Sequence, residues 1–334
     1  MILALAVTIA LSWSFTGLIR RYALSRQLLD IPNQRSSHTR PTPRGGGLAM
    51  VAGLAGGLPL VARPSGLGLA ALALPGLGAL LVVTVGWLDD RGHVSPAWRL
   101  LAHALAVALG IHGLGGAPAL AVAGFVIPAG PGLDLALGLL LVWLLNLFNF
   151  MDGIDGLAVS EAAFVALGAA VIVLARGGGM VSFWPLLLLA GACLGFLPWN
   201  WPPAAIFMGD VGSGFLGYVL GLGALWSVKN GGPPAPVWFI LLALFWVDAT
   251  WTLAMRLLAG ERWWTAHCGH AYQRAARRYQ SHKTVTLAAL GINLCWLLPL
   301  ALWAAARPRL GWPLTALAAT PLLALVVWVR SREQ

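Results

Sequence analysis

Eleven apolar runs recur along this chain, at roughly 1–19, 47–62, 68–87, 98–115, 133–150, 157–175, 181–198, 212–228, 237–258, 284–305 and 312–329. A bilayer core offers no water to a backbone amide, so a run of this length must satisfy its own hydrogen bonds as an α-helix. The alternating pattern of barrel strands is absent. With 59% hydrophobic and only 10% charged residues among 334, the runs predict an all-α polytopic membrane protein of about eleven transmembrane helices, or ten if the short second run is not a span. No polar linker is long enough to divide residues 1–334, and no internal repeat is evident, so one domain is expected.

The charges orient the bundle. No basic residue precedes the first run, while Arg20 and Arg21 follow it, which fits a retained first span with its N-terminus outside. Alternation then puts Arg20, Arg21, Arg26, Arg35, Arg40, Arg44, Arg91, Arg99, Arg256, Arg262, Arg274, Arg277, Arg278, Lys283, Arg330 and Arg332 inside, and only Arg63, Arg176, Lys229, Arg307 and Arg309 outside. That bias places the C-terminus on the cytoplasmic side of the membrane. The net charge of +10 gathers on the inner face, where lipid head groups or a phosphorylated substrate could meet it. No nucleic-acid partner is expected. Cys193, Cys268 and Cys295 form no CxxC, so neither a zinc knuckle nor a disulfide framework is indicated.

The chemistry lies in five inner loops, at about 20–46, 88–98, 146–157, 199–212 and 259–283. The first holds Asp30, Asn33, Arg35, His38, Arg40 and Arg44 before the triple glycine 45–47, whose amides at a helix start would suit a phosphate. The second ends the third run with Asp89 and Asp90 side by side. Like charges so close call for a cation or a shared proton. The third reads NLFNFMDGIDGLA, with Asn146, Asn149, Asp152 and Asp155, and the fourth FMGDVGSGFLG, with Asp210 and Ser213. The fifth carries Arg262, His267, His270, Arg274, Arg277, Arg278 and His282, a cationic setting better suited to phosphate than to zinc. Five of eight aspartates thus stand at inner helix ends, the pattern of a magnesium and phosphate site, with oxygen ligands favouring magnesium or manganese. Asp248, inside the ninth run, is expected to be paired or to face a wet cavity. His103 reads as a packing residue.

In order along the chain, DIPNQRSSHTRPTPRGGG, LDD, NLFNFMDGIDGLA and FMGDVGSGFLG resemble the polyprenyl-phosphate N-acetylhexosamine-1-phosphate transferases, over nearly the whole length. The first loop and HCGHAYQR look most like the O-antigen-initiating branch that loads N-acetylfucosamine, N-acetylquinovosamine or GlcNAc. Other branches carry HxHH or HHH where only His267 and His270 stand, which leaves one family histidine unassigned. The resemblance implies transfer of sugar-1-phosphate from a UDP-N-acetylhexosamine to undecaprenyl phosphate, releasing UMP, by a magnesium-dependent enzyme that is often a homodimer. It puts Asp210 and Asn149 at the metal and Asp89 and Asp90 at the acceptor phosphate as the catalytic pair. Asp155 would lie near the uracil, with Asn146 and Asp152 in nucleotide contacts. Arg44, His38, Arg99, Ser213, His267, His270 and Arg274 would hold phosphates or sugar.

Three rivals are weaker. A transporter of nucleotide-linked or lipid-linked sugar would place its site near the midplane, whereas here only Asp248 lies deep. A CDP-alcohol phosphotransferase would continue DG as DGxxAR, which this chain does not. A catalytically silent scaffold would have no need of the intact carboxylate set.

Overall fold

The computed structural model describes residues 1–32, 37–92, 94–122, 124–261 and 268–331. Its helices are α1 (Ile2–Ser25), α2 (Gly47–Ser65), α3 (Ala73–Arg91), α4 (Pro96–Gly113), α5 (Pro131–Met151), α6 (Leu157–Ala175), α7 (Met180–Asn200), α8 (Gly209–Lys229), α9 (Ala235–Leu241), α10 (Ala243–Leu258), α11 (Ala271–Tyr279), α12 (His282–Ile292), α13 (Leu298–Ala306) and α14 (Gly311–Ser331). Two short antiparallel hairpins join them: β1 (Leu29–Asp30) with β2 (Thr42–Pro43), and β3 (Leu120–Val122) with β4 (Phe125–Ile127).

Every expected span meets a helix, and of the expected counts length and apolarity support the lower, ten, at most. Among the described residues nine helices are long and apolar enough to cross a membrane, α12 and α13 forming one of them. The bent pair α9 and α10 would make a tenth. The fourth expected span, α4, is helical for 18 residues, but Arg99, His103 and His112 make it too polar. The ninth breaks at Leu242 by 76°, with no proline or glycine to announce it. The indole of Trp246 donates to the Phe239 carbonyl across the break at 2.8 Å, satisfying a group that the bend would otherwise leave bare.

Lipid tails are as apolar as leucine, so helices in a membrane associate through close packing and polar contacts more than through the hydrophobic effect. Helix α8 lies at the centre, against α2, α3 and α5, and its glycines let the neighbours come close. A Cβ on Gly47 of α2 would sit 2.2 Å from Gly212 Cα, and one on Gly217 would sit 2.8 Å from Leu145 Cα of α5. Helix α1 turns Thr8, Ser12 and Thr16 inward at four-residue spacing, and Ser12 Oγ donates to the Ala192 carbonyl of α7 at 2.7 Å. Helix α6 is almost wholly buried and apolar apart from Ser160 and Glu161, and Glu161 accepts the Asn293 side-chain amide at 2.5 Å, as an ionisable group enclosed by protein requires.

Candidate functional site

The ends of α3, α5, α7 and α8 converge with the loop before α2 and with α11 and α12 around a polar cavity of ≈ 200 Å³. Its walls carry Asp90, Asp152, Asp155 and Asp210, with Arg44, His38, Asn200, Gln273 and His282. Residues far apart in the sequence meet here because loops of the same bundle end are drawn together.

Asp210 stands in the first turn of α8. Its Oδ1 accepts the Asn149 amide at 2.8 Å, and its Oδ2 accepts Arg99 Nη1 at 2.8 Å. The same guanidinium nitrogen bonds Asp89, whose other oxygen accepts the Val94 amide at 2.8 Å. Arg99 therefore bridges two carboxylates. Asn149 also donates to Ser213 Oγ at 3.2 Å, so α5 and α8 share one network.

Asp90 serves a different purpose from its neighbour. It is buried, and its oxygens accept the amides of Asp210 at 3.0 Å and Val211 at 3.3 Å. Its carboxylate thus caps the start of α8, where unsatisfied donors and the helix dipole favour negative charge. Gly209 has φ +75°, and a Cβ there would lie 2.3 Å from the Asp90 carboxylate. Glycine alone admits both the backbone turn and the approach.

The triple glycine corrects an expectation. The amides of Gly46 and Gly47 donate to the carbonyls of Phe207 and Met208 at 3.0 and 2.9 Å. They are consumed in joining α2 to the loop before α8, so they do not form a phosphate cradle. What this loop does bring to the cavity is Arg44 and His38, with the His38 ring edge-on to Phe207 at 4.9 Å.

Asp155 is held in a tight turn closed by Gly156 at φ +74°. Asn200 accepts the Gly156 amide at 3.1 Å and donates to the Ile206 carbonyl at 3.0 Å. The carboxylate of Asp152, at the end of α5, has no hydrogen-bond or ion-pair partner among the described residues, while its amide donates to the Asn149 carbonyl. Burial, and the nearby carboxylates of Asp210, Asp90 and Asp155, push its carboxyl well above the ordinary carboxylate range.

A divalent cation suits this donor set. Magnesium needs only one or two carboxylates, with water and substrate phosphates completing its shell, and the unpartnered Asp152 carboxylate beside Asp210 provides them. No three His, Cys, Asp or Glu side chains form a closed metal cage among the described residues. An acid whose folded pKa is raised binds more protons folded than unfolded, so stability falls as pH rises from the ordinary aspartate range through the raised value. The expected result, read by tryptophan fluorescence melting in chelator, is a midpoint lower at pH 8 than at pH 6. Millimolar magnesium should restore more at pH 8. Equal midpoints at both values would show that Asp152 titrates normally.

Other expected site residues lie apart. Asn146 turns back to donate to the Val142 carbonyl at 2.7 Å and does not line the cavity. His270 also lies off the cavity wall, buried between the rings of Phe150 and Tyr272, with Nδ1 3.4 Å from Asp248. Arg274 donates to the Gly269 carbonyl at 3.1 Å. His267 is outside the described residues. Asp248 is a structural partner: it accepts the amides of Ala271 at 3.0 Å and Tyr272 at 3.1 Å, which fixes the start of α11. That helix delivers Gln273 to the cavity, and Tyr272 donates to the Phe150 carbonyl at 2.8 Å. Gln273 and Asn200 were not singled out by sequence reasoning, and His282 was named in the fifth loop without being taken as a site residue. Their signal was weak: single polar residues at helix ends on the same side as the aspartates.

Comparison with known proteins agrees with this architecture. The model of glycosyl transferase family 4 matches residues 72–228, which include Asp89, Asp90, Asn149, Asp155 and Asp210. The decaprenyl-phosphate N-acetylglucosaminephosphotransferase of Mycolicibacterium smegmatis is 35% identical over 228 residues, covering 62% of this chain and 55% of the relative. Its namesake in Mycobacterium tuberculosis is 30% identical over 305 residues, covering 81% and 74%. The probable undecaprenyl-phosphate N-acetylglucosaminyl 1-phosphate transferase of Bacillus subtilis is 30% identical over 299 residues, covering 86% and 80%. The matched region is thus about half the length of the first relative and about three quarters or more of the other two. With the site geometry and these extents of similarity together, the chain belongs to glycosyl transferase family 4.

Proposed function

We propose that the protein transfers N-acetylhexosamine-1-phosphate from a UDP-sugar to undecaprenyl phosphate, releasing UMP as the first step of a lipid-linked glycan such as an O-antigen or a related envelope polysaccharide. The observation that carries this reading is the cavity whose walls bring five aspartates, Asp30, Asp90, Asp152, Asp155 and Asp210, together with Arg44 at the end of a membrane bundle. The relatives' names favour N-acetylglucosamine as the sugar. The arginine bias turns the cavity toward the cytoplasm of the inner membrane, across eleven spans if α4 and the bent pair are each counted as one.

Phosphoryl transfer needs positioning and neutralised oxygens more than covalent chemistry. Arg99, held between Asp89 and Asp210, orients the acceptor phosphate. Asp90, the member of the adjacent pair on the cavity wall, takes the acceptor's last proton. A phosphate monoester is already mostly ionised near neutral pH, so a carboxylate suffices. Asp210 and Asn149, with Asp152 beside them, would hold magnesium, or manganese in its place, and the cation would supply positive charge to the pyrophosphate oxygens. Arg44 and His38 bind the donor phosphates, and Asp155 meets the uracil.

Purified protein in detergent should release UMP only when undecaprenyl phosphate, a UDP-N-acetylhexosamine and a divalent cation are all present, and chelator should stop it. Release without lipid would make it a hydrolase. No release from any donor of the panel, by folded protein, would sink the transferase reading.

A further inference from the structure

The cavity that holds the carboxylates adjoins a second one of ≈ 620 Å³, and the two share Ser37, His38, Asp155, Phe207 and His282. Of these, His282 touches both partners across the boundary. Its Nε2 lies 2.9 Å from the Ser37 carbonyl, and its Nδ1 lies 3.3 Å from Asp155 Oδ2. A carbonyl only accepts, so Nε2 carries a proton. Nδ1 then either accepts the Asp155 amide at 3.4 Å or, protonated, meets its carboxylate. In both states the ring pins Asp155 to the loop before α2.

The helix that carries His282 is itself fixed at this point. Gln280 ends α11 in the left-handed region at φ +50°, and Ser281 caps α12 by accepting the Thr284 amide at 3.1 Å. One turn beyond His282, on the same face, Thr286 donates to the Asp155 carbonyl at 3.0 Å. Helix α12 therefore grips Asp155 by side chain and by backbone. Asp155 Oδ2 also accepts the Ala204 amide at 3.0 Å, while its Oδ1 has no partner among the described residues. On a residue that lines the cavity, one oxygen is anchored and the other is not.

We propose that His282 is a positioning residue: by holding Asp155 Oδ2 through Nδ1 it sets Asp155 Oδ1 to accept an N–H of the donor nucleotide, the imide of its base. This rests on the reading of the cavity as a nucleotide-sugar site.

The test measures UMP affinity by calorimetry alongside transfer kinetics, with full-length protein in detergent. His282→Ala should weaken UMP binding and raise the KM for the UDP-sugar by about tenfold, the worth of one charge-assisted contact. Turnover at saturation and the KM for undecaprenyl phosphate should stay within about threefold. His282→Asn, whose amide nitrogen falls near Nδ1, should recover most of the affinity. His282→Gln, which reaches toward Ser37 instead, should not. In an Asp155→Ala background His282→Ala should cost little more, since the carboxylate it orients is gone. Unchanged UMP affinity in His282→Ala, with wild-type transfer intact, overturns this proposal alone, as do equal effects of the Asn and Gln variants. Failure of the wild type to bind UMP overturns it together with the nucleotide-sugar reading.

Discussion

Asp210→Asn should lower UMP release by about a thousandfold while the protein stays folded. Asp210 receives Asn149 on one oxygen and Arg99 on the other. A carboxamide has one acceptor oxygen, so one of these two donors would face another N–H. The negative charge that a cation and Arg99 both require would also be lost. Manganese binding, followed by electron paramagnetic resonance, should weaken in parallel. The melting temperature should change little, because Asp90 and not Asp210 caps α8. Full activity in a folded Asp210→Asn protein would remove Asp210 from the metal and phosphate chemistry.

Gly47→Ala should have the largest effect on folding. A single methyl there would stand 2.2 Å from Gly212 Cα, 2.5 Å from Gly212 N and 2.9 Å from the Met208 carbonyl oxygen. All three are backbone atoms, so no side chain can swing aside, and α2 would have to separate from α8. Overpacking of this kind costs about 3 kcal/mol, a large part of a typical domain's stability. Gly76→Ala is the control, since nothing lies within 4 Å of its Cβ. Fluorescence-detected size-exclusion chromatography after graded heating should show Gly47→Ala lost well below the wild type, and Gly76→Ala unchanged. Equal heat resistance of Gly47→Ala and wild type would mean that the helices separate there at no cost.

Much of the bundle was legible because crossing a bilayer is a local requirement: a run of apolar residues declares itself without reference to the rest of the chain. The bend at Leu242 was not, since its support comes from the Trp246 indole and not from a helix breaker. The gathering of aspartates at one end was also legible, from their positions at the ends of runs. How they divide the work was not. Asp89 and Asp90 are adjacent, yet one holds Arg99 of α4 and the other holds amides of α8. Gly46 and Gly47 looked like a ligand cradle because their partners, Phe207 and Met208, lie far along the chain. Likewise His270 and His282 are equally polar in sequence, but packing turns the first onto Phe150 and Tyr272 and the second onto Asp155.

The clasp between Ser37 and His282 also sets a clock. Translation adds about 5–20 residues per second, so the loop before α2 emerges on the order of ten seconds or more before the helix that will hold it. Through that interval the newborn chain already displays its acidic turn and its arginines, but in no fixed relation to one another. A ribosome-bound or prematurely terminated chain lacking α12 therefore leaves the Asp155 turn without its grip until the last part of the bundle has been made.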